Sequence, residues 1–224
     1  SLRDLNRSFP GDVSGDFTER LAAKIFDICK VTDLVIDLHT FSDPTLIMGI
    51  LMFAKDDLLR SKKISVMQDF NPEIIWNLGD VSEYKGALGP VLIQKGILNF
   101  AVEMPESYLI SKDQVDSVSE GLLRVLVAQK ILSGCVMTSE KLNHPLIVDK
   151  LDIRTSLSGL FTSNLKPGFK IAKGDFIGEI VRLSDLSRVP VFAKAEGTLM
   201  IIKNNQMVST GDRVAAIGIE VVKN

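Results

Sequence analysis

The sequence is short of the residues that most often advertise a function. Its 224 residues include two histidines, two cysteines, one tryptophan and two tyrosines. Two cysteines, Cys29 and Cys135, cannot build a disulfide framework, and they read as buried free thiols suited to a reducing, cytoplasmic setting. There is no excess of positive charge: 26 Lys and Arg stand against 28 Asp and Glu, a net charge of −2. That balance argues against nucleic acid as a partner, because phosphate-backbone binding needs clustered cations. Long hydrophobic runs are also missing. The longest, Thr45 to Ala54, falls far short of the roughly 20 residues of a membrane-spanning helix, so no membrane is expected as a partner. The Gly-Lys-Ser/Thr phosphate loop, Gly-x-Gly-x-x-Gly, the Gly-x-Ser-x-Gly elbow and Cys-x-x-Cys are all absent.

What is present is an ordinary globular composition, 46% hydrophobic and 24% charged, with length for one large domain or two small ones. Residues 1–137 read as an α/β unit. Apolar residues at helical spacing predict a helix over Phe17 to Lys30, capped by Asp16 or Thr18. Leu34-Val35-Ile36 reads as a buried strand. Thr45 to Phe53, Ile64-Ser65-Val66 and Ile97 to Val102 are further strand candidates, with a broken helix over Tyr84 to Lys95 and a clear amphipathic helix over Val115 to Leu132. Alternation of strands and helices predicts a mainly parallel sheet flanked by helices.

Residues 138–224 lose the helical period and read as compact all-β. They contain a repeat: Ile171 to Ile180 aligns with Val208 to Ile217, matching Gly174-Asp175 to Gly211-Asp212. Two Gly-Asp turns, each followed by a strand, suit a small sandwich of two similar halves. The boundary falls at 133–145, with His144 in a Pro-flanked turn.

Three places in the first unit could carry chemistry. In Asn6-Arg7-Ser8-Phe9-Pro10-Gly11, an amide beside a planar guanidinium fork suits a carboxylate, and Pro-Gly could fix the pair; taken alone, the stretch reads more simply as a terminal loop with a surface Arg. Asp37-Leu38-His39 follows a buried strand. Asp37, two residues away, shares a face with His39 and could orient its imidazole; the alternative is a loop cap beside a satisfied histidine. Glu103 ends the apolar strand Phe100-Ala101-Val102. A half-buried acid there has a raised pKa and suits general-base work, unless it caps a helix or pairs with a lysine.

Together these motifs resemble the succinylglutamate desuccinylase/aspartoacylase family of zinc carboxypeptidase-like hydrolases. The family's Asn-Arg-x-Phe-Pro-Gly stretch, its Asp-Leu-His and its strand-terminal Glu occur here in order. The Gly-Asp repeats and Ala193-Lys-Ala-Glu-Gly197 resemble its C-terminal barrel-sandwich domain. The resemblance implies an α/β hydrolase domain followed by that small β domain. It implies zinc held by His39, Glu103 as the catalytic acid–base, and Asn6 and Arg7 on a substrate carboxylate. The reaction would be hydrolysis of an N-acyl amino acid or related small amide. The family's other two zinc ligands come from a His-x-x-Glu motif upstream of Asn-Arg. No His-x-x-Glu occurs in this sequence. The resemblance therefore implies an N-terminally incomplete hydrolase domain, or a relative that has lost its metal and acts as a binding or assembly module. Apolar surface left at an unfinished sheet edge would favour a homo-oligomer.

Overall fold

A computed structural model describes residues 3–54, 58–82, 84–105, 111–134 and 145–221. Among the described residues four α-helices are formed: α1 Phe17–Cys29, α2 Arg60–Phe70, α3 Leu88–Gln94 and α4 Lys112–Ala128. The two longest begin with reciprocal capping boxes, Asp16 with Glu19 on α1 and Ser111 with Gln114 on α4. The expected cap at Asp16 is the one used. The expectation of a strand at Ile64-Ser65-Val66 fails. These residues lie inside α2, where Lys63, Val66, Met67 and Phe70 are buried at helical spacing. Two β-branched residues in a triplet carry less weight than that longer period.

Four strands belong to the first unit: β1 Leu34–Thr40, β2 Met48–Phe53, β3 Ile74–Asp80 and β4 Leu98–Met104. The second unit is all β, as expected: β5 Leu146–Arg154, β6 Gly159–Thr162, β7 Lys170–Ile171, β8 Phe176–Val181, β9 Arg188–Phe192, β10 Gly197–Ile202, β11 Gln206–Val208 and β12 Arg213–Glu220. β3 is absent from the sequence reading because its polar end, Asn77-Leu78-Gly79-Asp80, hides the apolar start.

The two units share one sheet. Its order is β1-β4-β2-β3-β5-β12-β10-β7, with β1–β4, β2–β3 and β3–β5 parallel and β2–β4 antiparallel. β5 is the join: Leu146 to Val148 pairs with β3, while Val148 to Arg154 pairs antiparallel with β12. A second, four-stranded sheet, β11-β6-β8-β9, closes the sandwich around Phe161, Ile177, Leu199, Val214 and Ile217, all fully buried. α2 and α4 cover one face of the large sheet, burying Leu51, Val66, Phe70, Phe100 and Val125. On the other face α1 and α3 pack together through Ala22, Leu88 and Leu92.

The sequence repeat is a structural one. Gly174 and Gly211 take φ +93° and +91°, which only glycine adopts cheaply. Asp175 and Asp212 accept bonds from the amides of Ala172 and Ser209, each at 2.8 Å. One turn thus launches β8 and the other β12. Cys135, His144 and the boundary at 137/138 lie outside the described residues.

Candidate functional site

Strand alternation sorts β1 and β4 into two faces. Leu34 and Ile36 of β1, with Leu98, Phe100 and Val102 of β4, point toward α2 and α4. Asp37, His39 and Glu103 therefore point to the opposite face. There Val35 packs among α1 and α3, and Ala101 packs with Phe41. In the parallel β1–β4 ladder His39 stands opposite Glu103, so two separate strands deliver the imidazole and the carboxyl to one spot.

His39 Nε2 lies 2.9 Å from Asp37 Oδ2. The pair leaves Nδ1 for another partner. Their side chains remain 32% and 28% exposed, open enough to meet a ligand. The bond to Asp37 raises the pKa of His39; burial opposes that shift, the Asp37 and Glu103 charges add to it, and Arg7 works against it. Arg7 is thus within electrostatic reach of the imidazole. Burial pushes the Glu103 carboxyl above the usual range, the nearby His39 pulls it back, and Asp37 reinforces the rise. Glu103 Oε2 is buried and has no hydrogen-bond partner. An orphaned, buried carboxyl oxygen beside an oriented imidazole is uncommon in a purely structural setting.

The Asn6–Arg7 segment is a short 3-10 turn, Leu5–Arg7, capped by Asp4, whose side chain accepts the Asn6 amide at 2.9 Å. Asn6 Oδ1 accepts the backbone N–H of Leu88 at 2.8 Å, fastening the turn to the start of α3. Only the Asn6 NH2 is left for a substrate. Arg7 is exposed. Gly86 seats the segment: it takes φ +80°, and a Cβ there would meet the Arg7 carbonyl oxygen at 2.3 Å. Its carbonyl also accepts the Phe9 amide at 2.9 Å. In the sequence Gly86 is only one residue of the broken helix expected over Tyr84 to Lys95; the close approach beneath Arg7 is visible in three dimensions alone. Cys29 packs half-buried in the α1–α3 cluster, where burial, with the Asp37 charge adding to it, raises its thiol pKa. A separate cavity of about 750 Å³ lies on the α2–α4 side, between Phe70, Glu120 and Leu165, and contains neither His39 nor Glu103.

Among the described residues no three His, Cys, Asp or Glu side chains converge as a metal would require. A catalytic zinc takes three protein ligands and a water. His39 is one such donor, so these residues alone do not fit the ion.

The family model for the succinylglutamate desuccinylase/aspartoacylase catalytic domain matches residues 1–128. The chain belongs to the succinylglutamate desuccinylase/aspartoacylase family. The family is one of hydrolases, and the match takes in Asn6, Arg7, His39 and Glu103. Solved structures of similar fold include a succinylglutamate desuccinylase/aspartoacylase from Rhodobacter sphaeroides, with TM-score 0.84 and 20% identity over 99% of this chain and 69% of that one. The ectoine utilization protein EutE (DoeB) from Ruegeria pomeroyi gives TM-score 0.84 and 22% identity over 96% and 70%. An aspartoacylase family protein from Mesorhizobium loti gives 0.81 and 19% over 99% and 68%. At these identities the likeness establishes the fold. No curated protein sequence is significantly similar to the chain.

Proposed function

We propose that this desuccinylase/aspartoacylase-family chain carries the site of an N-acyl amino acid amidohydrolase. The observation that carries the reading is the buried, unpartnered Glu103 oxygen beside the Asp37-held His39. With its pKa raised by burial, Glu103 suits both halves of amide hydrolysis near neutral pH. As carboxylate it takes a proton from the attacking water; as acid it returns that proton to the leaving amine. Arg7 offers a two-pronged guanidinium to the substrate carboxylate, with the Asn6 NH2 beside it.

His39 is the imidazole that a zinc ion would take, and Asp37 would hold it in place. The described residues supply one such donor and not three, so no step is assigned to a metal. That shortfall favours a second reading, in which the same Asn6–Arg7 and His39–Glu103 groups bind a small carboxylate without turning it over.

Incubating the chain with zinc and a panel of N-succinyl and N-acetyl amino acids separates the two. Release of free amine, lost in His39→Ala, supports the hydrolase. Calorimetric binding of the same compounds with no amine released supports the binding module.

A further inference from the structure

The segment that leaves β1 after His39 is held along its length by the β sandwich. The Leu46 N–H and Thr45 Oγ1 both donate to the Met200 carbonyl, at 3.1 and 2.9 Å. The Pro44 carbonyl accepts the Ile202 amide at 3.1 Å. Asp43, itself buried, pairs with Lys203 Nζ at 3.1 Å and with Arg213 Nη2 at 3.2 Å. Phe41 packs in one cluster with Met200, Ile201 and Ala216 of β10 and β12 and with Ala101 of β4. The Arg213 guanidinium lies 5.0 Å from the centre of the Phe41 ring.

Phe41 also ties the two strand ends of the site together. It stands two residues beyond His39, and its N–H donates to the carbonyl of Met104, the residue after Glu103, at 2.9 Å. Two cations share Asp43, but among the described residues only Arg213 rests on both Asp43 and Phe41. A buried carboxylate shared by two cations adds little stability over an apolar replacement of the same volume. What it adds is direction: the planar guanidinium is fixed at once by the carboxylate and by the ring it covers.

We propose that Arg213 is a positioning residue of the site: by holding Phe41 it keeps the ends of β1 and β4 together and so fixes His39 against Glu103. The inference rests on the reading of those two as the reacting groups, but the coupling itself can be measured without turnover. The Asn6–Arg7 turn is fastened elsewhere, to Leu88 and Gly86. Loss of Arg213 therefore slows the chemical step and spares substrate binding.

Lys203 supplies the control, because it shares Asp43 but not Phe41. Hydrogen exchange of the Phe41 amide, followed by NMR, is scaled to that of the Leu199 amide, which is buried in the sandwich and bonded to the Phe169 carbonyl. That scaling removes any change in global stability. Arg213→Met should speed Phe41 exchange about tenfold, and Lys203→Met should hold it within about threefold. Phe41→Leu, which keeps an apolar contact but takes away the ring, should reproduce the Arg213→Met result. In amine release from N-succinyl and N-acetyl amino acids, Arg213→Met should lower kcat about tenfold with KM within about twofold. Equal acceleration of exchange in the Arg213 and Lys203 variants overturns the proposal, since the contact would then be structural only. So does unchanged exchange in Arg213→Met or in Phe41→Leu, or a rise in KM with kcat unchanged. Absence of turnover in the wild type would count against the hydrolase reading instead, and the exchange comparison would still decide for or against the role of Arg213.

Discussion

The two ends of the large sheet are built to opposite specifications. At one end, Leu199 to Ile202 of β10 and Val214 to Ile217 of β12 are at most 1% exposed, sealed on both faces of the large sheet. At the other end is β1, the outer strand among those described. Every β1 residue is at least partly exposed, and Leu38 is 43% so. Yet β1 and its neighbour β4 carry Asp37, His39 and Glu103. The sandwich is where the chain concentrates packing, and the open edge is where an oriented imidazole and the unpartnered Glu103 oxygen stand together. Those groups are partly exposed, so the open edge is the region that can answer to a ligand.

This contrast can be broken or sharpened by substitution. Ile217→Ala, in the sealed end, should cost about 3–4 kcal/mol of unfolding free energy; Leu38→Ala, at the open edge, should stay within about 0.5 kcal/mol, both read by urea unfolding. Next comes Asp43→Ala. It removes the buried carboxylate that pairs Lys203 and Arg213 and releases the loop after β1 from the sandwich, with an expected loss of about 2–3 kcal/mol. Gly86→Ala forces a side chain against the Arg7 carbonyl; a loss of about 1–2 kcal/mol is expected, with weaker carboxylate binding. Glu103→Gln should move the other way. Burial raises the pKa of Glu103, so the fold's preference for the protonated acid is complete below the unfolded-state pKa and is lost as pH rises through the folded one. At neutral pH the amide should equal or slightly exceed the wild type in melting temperature, and the gap should close in acid. The smallest effect is local: in metal-free protein, Asp37→Asn should lower the raised His39 pKa, followed by proton NMR of the imidazole.

Much of this was legible in the chain because it is written in short-range rules. The capping box at Asp16, the long amphipathic α4 and the paired Gly-Asp turns follow from local geometry, and the structure uses all three. The shared strand end of His39 and Glu103 follows from period-two alternation once both strands are recognised. What the chain hides is whatever depends on distant packing. The triplet Ile64-Ser65-Val66 has strand-like composition but turns helical because Lys63, Met67 and Phe70 meet the sheet. β5 joins the two units through residues whose partners lie on β3 and β12. Gly86 matters because Arg7, far away in sequence, passes over it.

The most direct test is amine release from N-succinyl and N-acetyl amino acids by the wild-type chain and by Glu103→Gln, with melting curves recorded on the same samples. The expected result is turnover in the wild type and a loss of at least about 100-fold in the variant, with the melting temperature unchanged or raised. Equal rates in the two proteins, or a loss that tracks unfolding, would contradict the assignment of Glu103 as the acid–base of this site.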